Sequence, residues 1–514
     1  MNRLKKGKSD DQNTLYSDHL INGGEALFAV LSVLFNCMLC HGHTPPALLS
    51  STFISIPKNP KGSMTDSANY RSIALCSSIC KLLDLIVIDK WRDKLVTSDL
   101  QFGFKGGHST VLCTAMYKET VQYYAARKSR VYSVLLDASK AFDKVRYGAL
   151  FKLLIGRNLP AAVLRLLLDS YTRQTACVSW TNVRSPPFPV LNGVKQGGVL
   201  SPVLFTVYVD HLLNRLRESD IGCHVNGHYC GAYCYADDIV LLCPSLIGLN
   251  QMLEICVKFA NDFDVTFNAQ KTVGIVFNSK RPVEGYAVLN GIRIVWHDRV
   301  KHLGNVINAL TNDDDDCKAK TGQFIGSVNK LIANFKHVEL ATRIKLFKSF
   351  CSSFYGSQMW NLNCNSLCQL HTAWNKAVRA LLRLPYRTHR WLLGPLLGGA
   401  HIREEHYIRT AGFLLSAVSS GNATVQAVVS AASRDARSDM GSNIAFLRDR
   451  FGIDVMVLDL NAARSAIMSS VQITETQACY AQACTELLST IEGTSANTLS
   501  REQNVALLHS ICID

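Results

Sequence analysis

The sequence predicts an α+β protein, on three observations. The runs Gly231-Ala232-Tyr233-Cys234 and Ile239-Val240-Leu241-Leu242 are rich in residues that favour strands, and Tyr235-Ala236-Asp237-Asp238 lies between them. This reads as a β-hairpin with an acidic pair at its tip. Val131–Leu136 is a second apolar strand, and it stops at Asp137. From the acidic run Asn312–Asp316 onward the pattern is mostly helical. At 514 residues and 48% hydrophobic, the chain is long enough for several domains and too apolar to be mainly disordered.

The elements follow in order. Residues 1–20 are polar and expected to be loosely ordered. A helix is expected over 24–41; its apolar run Ala26–Cys40 is short for a bilayer and reads as a buried helix. Thr52–Ile56 alternates as a strand and ends at Pro57, before a basic loop, Lys58–Ser63. Leu75–Leu95 has helical spacing. The glycine-rich turn Gln101–Gly107 leads into a helix over 110–127. Ala138–Ile155 and 161–174 read as helices, Ala176–Trp180 as a strand, and Pro186–Pro189 as extended chain. After the loop Gly193–Gly198, Ser201-Pro202 is a favourable helix start. A helix is expected over 248–263, with strands over 273–278 and 286–295. Asp313–Asp316 reads as a solvated N-terminal cap of the helix that follows, where acids suit the helix dipole.

The net charge of +14 suits an anionic polymer. It is unevenly spread. Residues 321–400 hold ten Lys/Arg and one acid, Glu339, whereas 401–514 hold eight Lys/Arg and twelve Asp/Glu. Charge concentrated in one segment favours a surface that tracks phosphates. The eighteen cysteines lie mostly in apolar runs, and no secretory signal is visible at Met1–Lys6, so a reducing intracellular compartment is expected and a disulfide framework is not. Cys37/Cys40/His41/His43 and Cys364/Cys368/His371 are each incomplete as zinc sites.

Asp137, at a strand end, would complete a three-carboxylate site with Asp237 and Asp238. Hard oxygen ligands suit Mg²⁺, and three carboxylates can hold two such ions roughly 3.5–4 Å apart, an arrangement that serves phosphoryl transfer. For the tetrapeptide alone, a solvated Asp-Asp turn is the alternative.

Leu136-Asp137-Ala138-Ser139-Lys140-Ala141-Phe142-Asp143, Gly193-Val194-Lys195-Gln196-Gly197-Gly198-Val199-Leu200-Ser201-Pro202 and Tyr235-Ala236-Asp237-Asp238 resemble the palm motifs of reverse transcriptases, most closely those of non-LTR (LINE-type) retrotransposons. Ile56-Pro57-Lys58 with Asn69–Ile73, Gln101–Lys105, Asn268–Thr272 and Lys301–Gly304 resemble further blocks of that family, in the family's order, and the likeness spans about residues 15–400. The loop departs from the commoner Gln-Gly-Cys-Pro-Leu-Ser-Pro by carrying Gly198-Val199.

The resemblance implies a right-hand polymerase. Fingers and an antiparallel palm would fill 1–305, a basic helical thumb 306–400, and a helical C-terminal extension 401–514. It implies an RNA-directed DNA polymerase that uses two Mg²⁺ ions, with Mn²⁺ able to substitute. Asp137, Asp237 and Asp238 would be the catalytic metal ligands and Lys271 the general acid for pyrophosphate departure. Lys58 and Arg71 would grip the triphosphate, Phe142 would exclude a ribose 2′-OH, and Gln196 with Gly197 would admit nucleotide and template. Asp143 would serve the helix structurally. The implied partners are an RNA template (element RNA), a DNA primer or target and dNTPs, with no membrane. The implied setting is an intracellular ribonucleoprotein, nuclear and/or cytoplasmic. No N-terminal endonuclease is expected. A decayed or domesticated RNA-binding copy and a group II intron-type maturase are the alternatives.

Overall fold

A computed structural model describes residues 3–8, 15–138, 141–181, 183–279, 284–457, 459–470 and 482. Parts of the polar N-terminal stretch, Ser139-Lys140 and nearly all of the expected helical segment beyond 470 lie outside the described residues.

The central sheet has four strands in the order Val273–Phe277, Val131–Leu136, Asp238–Cys243, Ala232–Tyr235, and every pairing is antiparallel. Its apolar runs are continuous because both faces are covered. Val134, Leu136, Ile239 and Leu241 face one core, shared with helices Ser201–Glu218 and Leu246–Phe263. Val131, Tyr233, Val240, Leu242, Ile275 and Phe277 face another, shared with helix Thr110–Ala126 and the C-terminal helices. A second sheet runs Tyr70–Cys76, Ser50–Pro57, Thr175–Trp180 and Val183–Arg184, with Phe188–Pro189 paired to Thr175–Trp180.

Several expectations change. Ala138–Ile155 is not one helix: a short 3₁₀ turn, Ala141–Lys144, precedes helix Tyr147–Gly156. The sheet's partner loops hold this stretch, with Val194 N–H donating to the Phe142 carbonyl at 2.8 Å and Gly193 N–H to that of Val145 at 2.9 Å. Leu75–Leu95 begins in strand Tyr70–Cys76, whose seven-residue pairing with Ser50–Pro57 outweighs helical spacing there. The segment 286–295 is a hairpin, Val288–Leu289 with Ile292–Arg293, rather than one strand. Helix Gly24–His41 buries only one face, Leu31, Phe35 and Met38, while Val30 and Val33 are each 64% exposed. Its apolar residues encircle the helix, but one neighbour, Ala161–Thr172, cannot cover them all. By length and composition alone this helix could cross a membrane.

The run Asp313–Asp316 is not a solvated cap. Each acid holds a different partner at the start of helix Asp314–Asn334. Asp313 takes Lys118 Nζ at 2.5 Å, Asp314 bonds Ser366, Asp315 takes Asn308 Nδ2 at 2.9 Å, and Asp316 takes Trp360 Nε1 at 2.8 Å. Lys118 also reaches Asp439 at 3.1 Å, and Gln122 exchanges two hydrogen bonds with the start of helix Asp439–Phe451. Glu119 accepts from the Met440 amide at 2.9 Å. Helix Thr110–Ala126 thus clamps helix Asp439–Phe451, and with it Ile402–Val418, Ala423–Ala432 and Leu460–Ser469 share one core with the strands of the central sheet.

Burial and the nearby Asp439 charge push the Glu119 carboxyl up from 4.5 to about 8. The folded chain then holds this proton more tightly than the unfolded chain does. Its stabilising contribution is complete below about pH 4.5 and is lost as pH rises through about 8. The thermal midpoint is expected to fall over that window, and Glu119→Gln, which cannot ionise, is expected to flatten part of the fall. Parallel curves for the two proteins would rule Glu119 out as the cause.

Candidate active site

Strand register builds the site. Ile239 pairs with Leu136, so the next step of the ladder sets Asp238 beside Asp137. Asp238 already belongs to its strand, opposite Tyr235, and the hairpin turn is Ala236-Asp237. The three carboxylates feel one another. Burial raises Asp237, the Asp137 charge adds to that rise, and the Arg71 guanidinium opposes it. Burial followed by the charges of Asp237 and Asp137 pushes Asp238 up to about 6.

None of the three aspartates forms an ion pair among the described residues. Nor, among those residues, do any three His, Cys, Asp or Glu side chains close into a ready-made metal cage. The site is an open cluster of hard oxygen donors whose mutual repulsion is eased by Arg71 at a distance and by no direct ion pair among the described residues. That donor set fits divalent cations.

The turn is fixed from below. Ala236 takes φ of 60°, a conformation uncommon for residues other than glycine. Gln101 is fully buried beneath it. Its Oε1 accepts from the Ala236 amide at 3.0 Å and the Gly103 amide at 2.8 Å, and its Nε2 donates to Cys234 Sγ at 3.2 Å. A Cβ at Gly103 would overlap the Ala236 nitrogen, so only glycine permits this approach. Asp137 is fixed from the side: its N–H donates to Thr272 Oγ1 at 3.3 Å, and its carbonyl accepts from the Asn268 amide at 2.8 Å. Lys271 is exposed on that same loop, one turn from Asp137.

Arg71 lies on strand Tyr70–Cys76, opposite Ile56, and is the cation of the second sheet that acts on Asp237. Lys58 follows the neighbouring strand, and its Nζ donates to the Ala68 carbonyl at 3.0 Å, which ties it to its own hairpin. Gln196 joins the second sheet to the turn Ala141–Lys144. Its carbonyl accepts from the Ala74 amide at 2.6 Å, and its Nε2 donates to Asp143 Oδ1 at 2.9 Å. Gly197, at φ of 110°, packs so tightly on Ala74 that a Cβ would sit 2.8 Å from the Ala74 oxygen. Phe142 is half-buried and stacks on Phe205 at 4.2 Å.

Two residues of the site escape the sequence pattern. Asp143, expected to serve only its helix, holds Gln196. Gln101 lies in a stretch that resembles a family block, but the likeness implies no role for it; a further signal is a polar residue between the apolar Leu100 and Phe102.

A four-stranded antiparallel sheet with carboxylates at adjoining strand ends, facing an arginine from a separate sheet, is the palm and fingers of a right-hand polymerase. Residues 56–307 match the family model described as reverse transcriptase (RNA-dependent DNA polymerase). The chain is 26% identical over 380 residues to the RNA-directed DNA polymerase from mobile element jockey of Drosophila melanogaster, covering 69% of this chain and 40% of that protein. It is 27% identical over 220 residues to the retrovirus-related Pol polyprotein from type-1 retrotransposable element R2 of Nasonia vitripennis, covering 43% of this chain and 21% of that protein. Among solved structures, apo telomerase from Candida tropicalis overlaps at a TM-score of 0.40 and 11% identity, over 87% of this chain and 74% of that one, which is too loose to bear on the fold. Residues 56–307 form a reverse transcriptase domain, similar to those of non-LTR retrotransposon polymerases. Members of this family work with divalent metal ions. The chain spans about two-fifths of the length of the jockey polymerase, 40%.

Replacing Gln101 with Leu removes the acceptor for two buried amides while keeping the side chain's bulk. Each unpaired amide costs about 1–3 kcal/mol, so a loss of roughly 2–6 kcal/mol is expected in urea denaturation. A loss under about 0.5 kcal/mol, the range of an ordinary surface change, would show that the turn does not depend on this side chain.

Proposed function

We propose that this chain is an RNA-directed DNA polymerase that extends a DNA 3′-OH on an RNA template with dNTPs and releases pyrophosphate. The observation that carries this reading is the register that sets Asp137 beside Asp237 and Asp238 under Arg71. The 3′-OH gives its proton to solvent and its oxygen bonds to the α-phosphorus as the bond from that phosphorus to the bridging oxygen breaks. Two Mg²⁺ ions, or Mn²⁺ in their place, held by Asp137, Asp237 and Asp238, would supply Lewis-acid stabilisation of the reacting oxygens. Arg71, with Lys58 when its hairpin carbonyl releases it, neutralises charge on the triphosphate. Lys271 gives a proton to the departing pyrophosphate. Gln196, held by Asp143, and Gly197 present a backbone surface to nucleotide and template. Phe142 faces the sugar.

The thumb supports a nucleic-acid duplex. Of the ten cations in 321–400, Arg343 is buried against backbone carbonyls and Arg379 holds the Thr388 carbonyl. Lys330, Lys336, Lys345, Lys348, Lys376, Arg383, Arg387 and Arg390 are exposed. Residues 306–400 act on this reading as the thumb beside fingers and palm in 1–305, with the later helices bracing both. The protein works as an intracellular ribonucleoprotein with element RNA, in the nucleus and/or cytoplasm.

Purified chain with Mg²⁺, an RNA template, a DNA primer and dNTPs is expected to extend the primer. Loss of a metal ligand removes several kcal/mol of charge stabilisation, so Asp237→Asn is expected to slow extension by roughly a thousandfold with RNA binding near normal. Extension that survives the substitution would defeat the mechanism.

Replacing Lys330, Lys336, Lys345 and Lys376 with Gln is expected to weaken template–primer binding. The slope of log affinity against log salt should shrink by about one for each phosphate no longer neutralised. An unchanged slope would place the duplex on another surface.

A further inference from the structure

Phe104 is held where a phenylalanine has little reason to be. Its ring is 50% exposed and its φ is 58°, a left-handed conformation that bulky side chains rarely adopt. The chain on both sides is anchored so that it cannot relax. Before it, Gly103 is pinned to Gln101 and pressed against the Ala236 amide. After it, Lys105 Nζ donates to the Thr97 carbonyl at 2.9 Å and the Ser98 carbonyl at 2.6 Å. Gly106 and Gly107 then lead away with open space around them. The ring's one aromatic neighbour among the described residues is Phe142, met edge to face at 6.3 Å and 81°. Phe142 is stacked on its other side by Phe205, at 4.2 Å and 17°. Phe104 therefore lies between the turn that carries Asp237 and the side chain that faces the sugar. Strain kept at such a place, with an apolar ring left in solvent, marks a surface built for a ligand.

We propose that Phe104 is a specificity-determining residue of the nucleotide site: with Phe142 it forms an aromatic corner against which a deoxyribose packs and into which a ribose 2′-hydroxyl cannot go. The rings offer that hydroxyl no hydrogen-bond partner, so entry would strip its water without compensation. Phe104 also blocks the direction in which Phe142 could swing aside, since Phe205 closes the other. The proposal rests on the polymerase reading and on the sugar-facing place of Phe142.

The test is the ratio of kcat/KM for a dNTP to that for the matching rNTP, measured on an RNA template with a DNA primer. Phe104→Ala is expected to lower the ratio about tenfold, through a gain in rNTP kcat/KM, and Phe104→Tyr is expected to restore it. Because the two rings act as one corner, the double variant Phe104→Ala/Phe142→Ala should discriminate no worse than Phe142→Ala alone. If thermal melting shows Phe104→Ala unfolded, Phe104→Leu is read in its place with the same direction expected. A ratio within about twofold of wild type, or fully additive losses in the double variant, overturns the proposal while leaving the polymerase reading intact. A wild-type chain that extends no primer overturns both.

Discussion

The structure turns on a repulsion. Three aspartates are brought to adjoining strand ends, desolvated enough for Asp238 to rise to about 6, and left without an ion pair among the described residues. Nothing in the carboxylates favours that arrangement; the surrounding fold imposes it. Leu136 and Ile239 are locked in register by a sheet apolar on both faces, and a slip of one residue would exchange the contents of its two cores. The cost of crowding the charges is thus borne by two hydrophobic cores, and the resulting site is poised to take up positive charge.

The supports of the site form a chain of hydrogen bonds with no cation in it. Gln101 holds the Ala236 turn, Asn268 and Thr272 hold Asp137, and Asp143 holds Gln196 against the second sheet through Ala74. Hydrogen bonds and close glycine contacts do this work near the carboxylates, so the charge of the three aspartates is left for Arg71 to offset in part. Further away the rule reverses. Lys118 is paired with Asp313 and Asp439 in a buried network that joins the palm helix to the C-terminal helices. There, charge pairing fixes how distant parts of the chain meet and leaves nothing to bind.

Much of this was legible in residue patterns. Long helices with clear ends, such as Thr110–Ala126 and Leu246–Phe263, follow from apolar spacing and capping serines. The strands that place Asp137 and Asp238 follow from short apolar runs, one ending just before an acid and the other beginning at one. Legibility failed where tertiary contacts outweigh local preference. Tyr70–Cys76 is a strand because Ser50–Pro57 pairs with its whole length. Asp313–Asp316 reads as a solvated cap until four separate partners are brought to it. Helix Gly24–His41 reads as buried because it is apolar all round, and whether its far side is covered depends on neighbours that local sequence does not show.

By itself the sequence determined the kinds of groups present and their local setting: carboxylates at the ends of apolar strands, glycines beside Gln196, a basic segment over 321–400 and an ordered series of family motifs. These are legible because propensity, charge and spacing act over a few residues. Tertiary structure decided which groups meet. It set Asp137 beside Asp238, put Gln101 under Ala236, assigned Asp143 to Gln196, and stood Phe104 against Phe142. Those pairs are separated by 101, 135, 53 and 38 positions along the chain. No local preference encodes them; they follow from the register and packing of a sheet whose two faces must both be buried.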